Sequence, residues 1–366
     1  MFTNEQTSEQ GFTLIEMLVV LAITSVIFAT IFWSLTFQQL SAQRQTSLAD
    51  IYDNQRFAMD LLPRHIRMAG LGLNYNKLWL LGTSVGLHAV EHKNNIHNGT
   101  DELLIRYVYD DDLCGDLTVV SDTPRLNSSE INVGHDPQLA CWKAKHDRDG
   151  DFFAIIINEE GTEASIFVIT HVQEPAGHIQ HHPVNTLIPG YGGFNGDNDL
   201  CPKLATGGHE CHYGEGSRVL ILDWQEMTIR LDYGMPGADP AHPRLVLINR
   251  EGVITAIATN VEDLQFAFAV DTNDDGILED QNGDGNLSGE DYISVVANPE
   301  DIRAVRISTC FRSSDWVSKV ARSRPPSVED HLPNSSLPPD GYARKSISTR
   351  VNIRNLSKAY TSHNLQ

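Results

Sequence analysis

The chain has 366 residues, 41% of them apolar, with 27 Lys and Arg against 48 Asp and Glu and a formal charge of −21. That length supports one large or two modest hydrophobic cores, and the acidity excludes a nucleic-acid binder, which needs clustered bases against phosphate. A mean hydropathy of −0.25, with a single strongly apolar segment, excludes a disordered chain and a polytopic membrane protein.

That segment stands near the N-terminus. Between Glu16 and Arg44 no residue is charged, and 16 of the 21 residues in 17–37 are apolar. The other five, Thr24, Ser25, Thr30, Ser34 and Thr36, carry hydroxyls that can return to the helix backbone. At ~1.5 Å per residue the uncharged run spans roughly 40 Å, enough to cross a hydrocarbon core of about 30 Å. A secretory signal has a basic n-region, a shorter apolar core and a cleavage site after it. Here the first ten residues hold Glu5 and Glu9 and no base. A plain anchor leaves Glu16 unexplained, because a carboxylate inside an apolar helix costs about 2.5–3.5 kcal/mol.

The stretch Gly11-Phe-Thr-Leu-Ile-Glu16 resembles the processing motif of type IV prepilins and type II secretion pseudopilins. The resemblance implies cleavage after Gly11 by a prepilin peptidase, N-methylation of Phe12 as the mature N-terminus, and Glu16 as the fifth mature residue. Residues 1–11 are then a leader and 12–37 the transmembrane and assembly helix. The physics agrees with that arrangement. An ammonium on Phe12 and the Glu16 carboxylate are each expensive in lipid, and they compensate best when they belong to neighbouring subunits, which sets axial register. The leader departs from the family in lacking bases, so the positive-inside tendency specifies orientation weakly.

From Gln38 the helical pattern continues to about 72 but turns amphipathic. Leu40, Ile51, Phe57, Met59, Leu61, Leu62, Ile66 and Met68 supply an apolar face against interleaved Arg and Asp. Pro63 is expected to kink the last turns and Gly70-Leu-Gly72 to end the helix. Residues 73–366 then read as a β-rich body, with runs at 103–109, 152–157, 164–172, 218–223, 227–231, 244–248, 252–259, 264–270, 302–311 and 346–353. Gly, Pro, Asn and Asp clusters separate them. The fold class is α+β, pilin-like: one long helix laid on antiparallel sheet. The Gly-, Pro- and His-rich stretch 174–216 reads as an insertion. Residues 322–341, with five Pro, read as an exposed irregular loop.

Within the body, Arg64-His-Ile-Arg67-Met-Ala-Gly70, Val261-Glu-Asp-Leu-Gln-Phe266 leading to Asp271, Val305-Arg-Ile307 and Arg354-Asn355 resemble, in that order, the minor pilins of the PilW type. The resemblance implies a structural, non-enzymatic subunit that joins other minor and major pilins and the inner-membrane assembly machinery, primes pilus assembly and sits at the fibre tip. It also implies a single-pass inner-membrane protein with a periplasmic body before assembly, exposed on the cell surface afterwards. Two other classes stay open at this point: a type II secretion pseudopilin, and a tip adhesin that binds through 174–216.

The sharpest local chemistry is in 271–291, which holds eight acids and no Lys or Arg. Asp280, Asn282, Asp284, Asn286, Ser288 and Asp291 fit positions 1, 3, 5, 7, 9 and 12 of a Ca²⁺ loop, with Gly285 at the sharp turn. Asp271, Asn273 and Asp275 begin a second copy. The similar fragment Asp147-Arg-Asp149-Gly-Asp151 reads as a turn. An exported chain permits disulfides. Cys201 with Cys211 would staple the insertion and Cys114 with Cys141 a longer loop, although spacing does not determine connectivity. Cys310, in a strand, reads as a buried free thiol. The histidines at 88, 92 and 97, at 178, 181 and 182, and at 209 and 212 beside Cys201 and Cys211 match no haem or zinc signature. No nucleophile elbow, phosphate loop or dinucleotide fingerprint is present.

Overall fold

The computed structural model describes residues 13–72, 77–80, 88–109, 114–121, 129–182, 200, 213–234, 239, 241–273, 275–284, 291–317, 324–332 and 339–356. In chain order the elements are α1 (Leu14–Met68), β1 (Lys77–Leu80), β2 (Val90–His97), β3 (Thr100–Tyr109), β4 (Leu117–Thr118), β5 (Glu130–Asn132), α2 (Leu139–Asp149), β6 (Phe152–Ile157), β7 (Glu163–Ile169), β8 (His171–Gln173), β9 (His178–Gln180), β10 (Arg218–Ile221), β11 (Asp223–Asp232), β12 (Arg244–Asn249), β13 (Ile254–Thr259), β14 (Val261–Val270), β15 (Ile302–Arg312) and β16 (Arg344–Asn352).

Helix α1 is 55 residues long, about 80 Å at the usual rise. Its buried positions are Ile51, Gln55, Ala58, Leu62, Pro63 and Ile66, and steps of three and four put them on one face. That face lies on β13, β15 and β16. Two residues expected there are elsewhere: Leu40 and Phe57 are 43% and 55% exposed. Phe57 is one position from Ala58, about 100° around the helix. The small Ala58, fully buried, is what lets the helix approach the sheet. Pro63, where a kink is expected, does not end the helix. The helix continues to Met68, with Pro63 buried between the fully buried Leu62 and Ile66.

Termination follows the glycines. Gly70 has φ +75°, and a Cβ there would stand 2.7 Å from Leu356 Cδ2. Its N–H donates to the Arg106 carbonyl at 2.9 Å. Asn355 Nδ2 donates to the carbonyls of Arg67 and Ala69 at 3.1 and 3.4 Å, which satisfies helix-end acceptors that have no partner within the helix. The C-terminal segment thus clamps the end of α1.

Two hydrophobic cores follow. The first joins α1 to the sheet β13-β12-β11-β3-β2 and the sheet β14-β15-β16. The second joins α2 to the sheets β1-β7-β6-β10-β4 and β5-β9-β8. All described strand pairs are antiparallel except β1 with β7. Strands β3 and β11 are neighbours, with Tyr109 opposite Asp223. Residues 110–222 therefore leave and re-enter the first body at one end of a strand pair. The insertion is larger than the expected 174–216, and 178–180 is itself a strand within it. There Gly177, at φ +70°, turns β8 into β9, and a Cβ on it would meet the Gly134 carbonyl oxygen at 2.5 Å. The runs expected at 218–223 and 227–231 are instead β10, in the second core, and the longer β11, in the first.

Helix α2 has no counterpart in the sequence reading, because only Leu139 and Trp142 of its eleven residues are buried and its apolar periodicity is thin. The fragment expected as a turn at 147–151 is largely the end of this helix. Lys143 Nζ donates to Asp147 Oδ2 at 2.6 Å, and Arg148 donates to both oxygens of Asp149 at 2.7 Å. The Cys114 to Cys141 disulfide, with Cα atoms 5.6 Å apart, ties α2 to the approach of β4 and contributes about 3 kcal/mol in the loop-entropy picture. Cys201 and Cys211 lie outside the described residues. Cys310 is a buried free thiol, whose pKa burial pushes up to about 12.

The loop expected to be exposed at 322–341 is anchored where it is described. Val328 is buried, Arg306 Nε donates to Glu329 at 2.8 Å, and His331 Nδ1 lies 2.9 Å from Asp263 Oδ2. These polar anchors hold the described part of this Pro-rich segment to the sheet.

Candidate functional site

Among the described residues nothing buries the apolar first half of α1. Its most apolar window has a mean hydropathy of 2.5 and none of it is buried, so large side chains such as Leu14, Phe28, Phe32 and Trp33 stand bare. A contiguous apolar surface of this size is a site for membrane or protein contact. Four of the five hydroxyls inside it are satisfied locally. Thr24 donates to Val20 O at 2.8 Å, Ser25 to Ala22 O at 2.8 Å, Thr30 to Ile27 O at 2.8 Å and Thr36 to Phe32 O at 2.9 Å. None of these four groups adds a polar cost in lipid.

Glu16 has a partner within its own chain. Its Oε2 accepts from Thr13 N at 2.8 Å and from Thr13 Oγ1 at 2.9 Å, while Glu16 N donates to Thr13 Oγ1 at 3.3 Å. This is a reciprocal capping box. The signal was present as Thr13-x-x-Glu16, and the sequence reading missed it by treating Glu16 only as a charge awaiting a neighbour. Gly11 and Phe12 lie outside the described residues.

The acidic segment leaves the sheet at the end of β14 and returns beside it. Phe268 and Ile293 exchange backbone hydrogen bonds at 2.8 and 2.9 Å, and this pairing closes the loop at its base. Asp271 is 2% exposed. Its Oδ2 accepts from Gly276 N at 3.2 Å and lies 3.6 Å from Arg303 Nε, whereas its Oδ1 is buried with no hydrogen-bond partner. In the next turn Asp280 Oδ1 accepts from Gly283 N at 2.7 Å and Asp284 N at 3.3 Å. Asn282 Nδ2 reaches Asp284 Oδ2 at 3.3 Å, and the buried Asp291 accepts from Gln281 N at 3.1 Å. Asn273 and Asp275 bond to each other at the exposed tip of the first turn. Asn286 and Ser288 lie outside the described residues. Among the described residues no three Asp, Glu, His or Cys side chains converge as a metal-binding group.

The histidines are dispersed into separate contacts. His88 lies 3.7 Å from Glu300, His92 lies 3.0 Å from Asp101, and His178 lies 3.6 Å from Glu130. His182 is 3.2 Å from Gln180, and His181 packs edge-on to Phe167. His209 and His212 lie outside the described residues.

Two family models match the chain. The prokaryotic N-terminal methylation motif covers residues 6–32, and type IV pilus-assembly protein W covers 245–355. No curated protein and no solved structure matches. The second match runs from β12 through β16 and includes the acidic loop. It contains the three strands on which the buried face of α1 lies, β13, β15 and β16, and Asn355, which caps the helix end. The insertion 110–222 is outside both matches.

Proposed function

We propose that this chain, which carries the PilW segment and the N-terminal methylation motif, is a minor pilin of a type IV pilus that primes fibre assembly and stays at the tip. The observation that carries this reading is the division of α1. Residues 51–66 are docked on the matched body, and the apolar residues before Leu40 are bare. Such a subunit is anchored in a membrane by one helix and can enter a bundle by the same surface. The body would lie in the periplasm before assembly. Prepilin peptidase would cut after Gly11, and the methylated Phe12 ammonium would meet Glu16 of an adjoining subunit. The PilW segment favours the pilus over a secretion pseudopilus.

Bulk argues for the tip. A second core inserted between two adjacent strands makes a head that a closely repeated lattice would have to accommodate at every subunit, whereas an end position is sterically free. Loss of the gene is expected to abolish or sharply reduce surface fibres, and immunogold label on the complemented strain is expected at one fibre end. Label spaced regularly along the shaft would contradict the tip assignment.

We also propose that the 271–291 loop binds Ca²⁺. The unpartnered buried Oδ1 of Asp271 suits a cation, as does the concentration of like charge, and oxygen donors alone are what Ca²⁺ takes. Asp280, Asn282, Asp284, Asn286, Ser288 and Asp291 would hold the ion, with Asp271, Asn273 and Asp275 assisting. Added Ca²⁺ at a hundredfold excess over Kd would stabilise the fold by about 2.7 kcal/mol, seen as a rise in melting temperature. Asp280→Ala with Asp284→Ala is expected to remove that rise. A chain whose melting temperature ignores Ca²⁺ would overturn the assignment.

A further inference from the structure

A strand at the edge of a sheet leaves every second residue's N–H and C=O without a ladder partner, and folds shorten, bulge or cover such edges. Most edges of this chain are managed in that way. β1, β4, β5 and β8 have four residues or fewer, β2 breaks register between Lys93 and His97, and β13 meets a slip at Leu245 and Val246. The outer side of β14 is closed by Ile293, which pairs with Phe268, and by Asp101, which takes the Phe266 N–H. β16 differs. Its nine residues pair with β15 in unbroken register, from Arg344 opposite Arg312 to Asn352 opposite Ala304, and none of them is proline.

The open backbone groups of β16 can be assigned. Ser313 N donates to Ala343 O and Ile353 N to Arg303 O, so the odd-numbered residues between face β15. The N–H and C=O groups of Ser346, Ser348, Arg350 and Asn352 therefore point away from it, and among the described residues none has a backbone partner. The side chains of this edge are basic in a chain of net charge −21. Lys345 and Arg350 are exposed, and both contact aromatic groups. Lys345 Nζ lies 3.2 Å from Tyr52 Oη, and the Arg350 guanidinium lies 5.2 Å from the Tyr292 ring. Neither has an acidic partner among the described residues. Between them Ile347 is half-buried at the rim of the first core.

We propose that the β16 edge receives an acid-bearing extended segment of another pilus subunit, paired antiparallel. The backbone groups require a strand, and the charges set its composition. One acid faces Arg350, an apolar residue three positions on faces Ile347 and extends the core, and a second acid two positions further faces Lys345. A second copy does not fit, because pairing through the same edge crowds Lys345 and Arg350 against their own counterparts. β16 and the residues after it run beside α1 from Tyr52 to Arg67, about 22 Å, so the added strand ties a neighbour's body to this rod. That the neighbour is a fibre subunit rests on the pilin function proposed above, whereas the edge does not.

The test uses the full chain in detergent and a synthetic octapeptide of threonine, with aspartate at its second and seventh positions and valine at its fifth. Residue-resolved amide exchange is expected to slow at Ser346, Ser348 and Arg350 and not at Ile347 or Thr349, whose N–H groups already bond to β15. The same peptide with lysine for aspartate is expected to bind about tenfold more weakly, and Lys345→Glu with Arg350→Glu to reverse that preference. Ser348→Pro blocks the middle of the edge without removing a bond to β15. It is expected to abolish peptide binding at an unchanged melting temperature and, in cells, to reduce incorporation into fibres to background, as is the double glutamate variant. Edge amides already protected in the free chain assign the edge to a segment of this chain and overturn the proposal. Protection that grows with chain concentration alone assigns it to a second copy and also overturns it. Equal binding of the two peptides, or wild-type incorporation of either variant, does the same. Wild-type chain missing from fibres, with the aspartate peptide still held at the edge, defeats the pilin reading and supports the edge.

Discussion

Alanine at Glu16 is expected to leave removal of the leader intact and to reduce incorporation into fibres to background, read as the ratio of subunit in sheared fibres to subunit in the membrane. The peptidase site precedes Phe12, whereas Glu16 lies one helical turn into the rod. In the single chain the carboxylate is held by Thr13. In the proposed bundle a neighbour's ammonium would replace or supplement a cap worth about 0.5–2 kcal/mol. A lone carboxylate in lipid costs about 2.5–3.5 kcal/mol, so a charged partner outweighs the cap. Thr13→Ala separates the two roles. It removes the hydroxyl, keeps the charge, and is expected to leave incorporation near normal. Wild-type incorporation of Glu16→Ala would defeat the registry argument.

The second large effect concerns the body. Asp101→Ala is expected to destabilise the fold by about 3–5 kcal/mol, measured by denaturant unfolding of the full chain in detergent. Asp101, in β3, is fully buried. Its Oδ1 accepts from Asn95 N at 3.0 Å, and its Oδ2 accepts from Phe266 N at 2.9 Å and lies 3.0 Å from His92 Nε2. One carboxylate thereby fastens the β2–β3 turn to β14 in the other sheet. Truncation leaves the N–H of the fully buried Phe266 without its partner and removes the acceptor of Asn95 N. Asp101→Asn, which keeps one acceptor oxygen, is expected to lose less. A loss below about 1 kcal/mol for the alanine variant would mean that this carboxylate does not fasten the two sheets.

The sequence carried the long helix, its apolar and amphipathic halves and its glycine stop. Each of these is a local pattern: an uncharged run, a spacing near 3.6, and residues tolerant of positive φ. It also carried the buried state of Cys310 and most of the strands, whereas the pairing of Cys114 with Cys141, left open by spacing, is fixed by the structure. Partner choice was not legible. Alternation at 152–157 and 164–172 announces strands but does not say that they form a core separate from that of β14 and β15, because pairing is decided by contacts distant in the chain. Phe57 was assigned inward by its hydrophobicity, yet the helix approaches through the small Ala58. Helix α2 was missed because two buried residues among eleven leave almost no period. At the candidate site the motif singled out Glu16 as an expectation, while its capping by Thr13, present in the sequence as Thr13-x-x-Glu16, was recognised only in the geometry.

The most direct measurement is the mass of the N-terminal peptide of the native chain recovered from sheared fibres. The account predicts a chain that begins at Phe12, with a methyl group on its α-amino nitrogen and residues 1–11 absent. A fibre subunit that still begins at Met1 would contradict it.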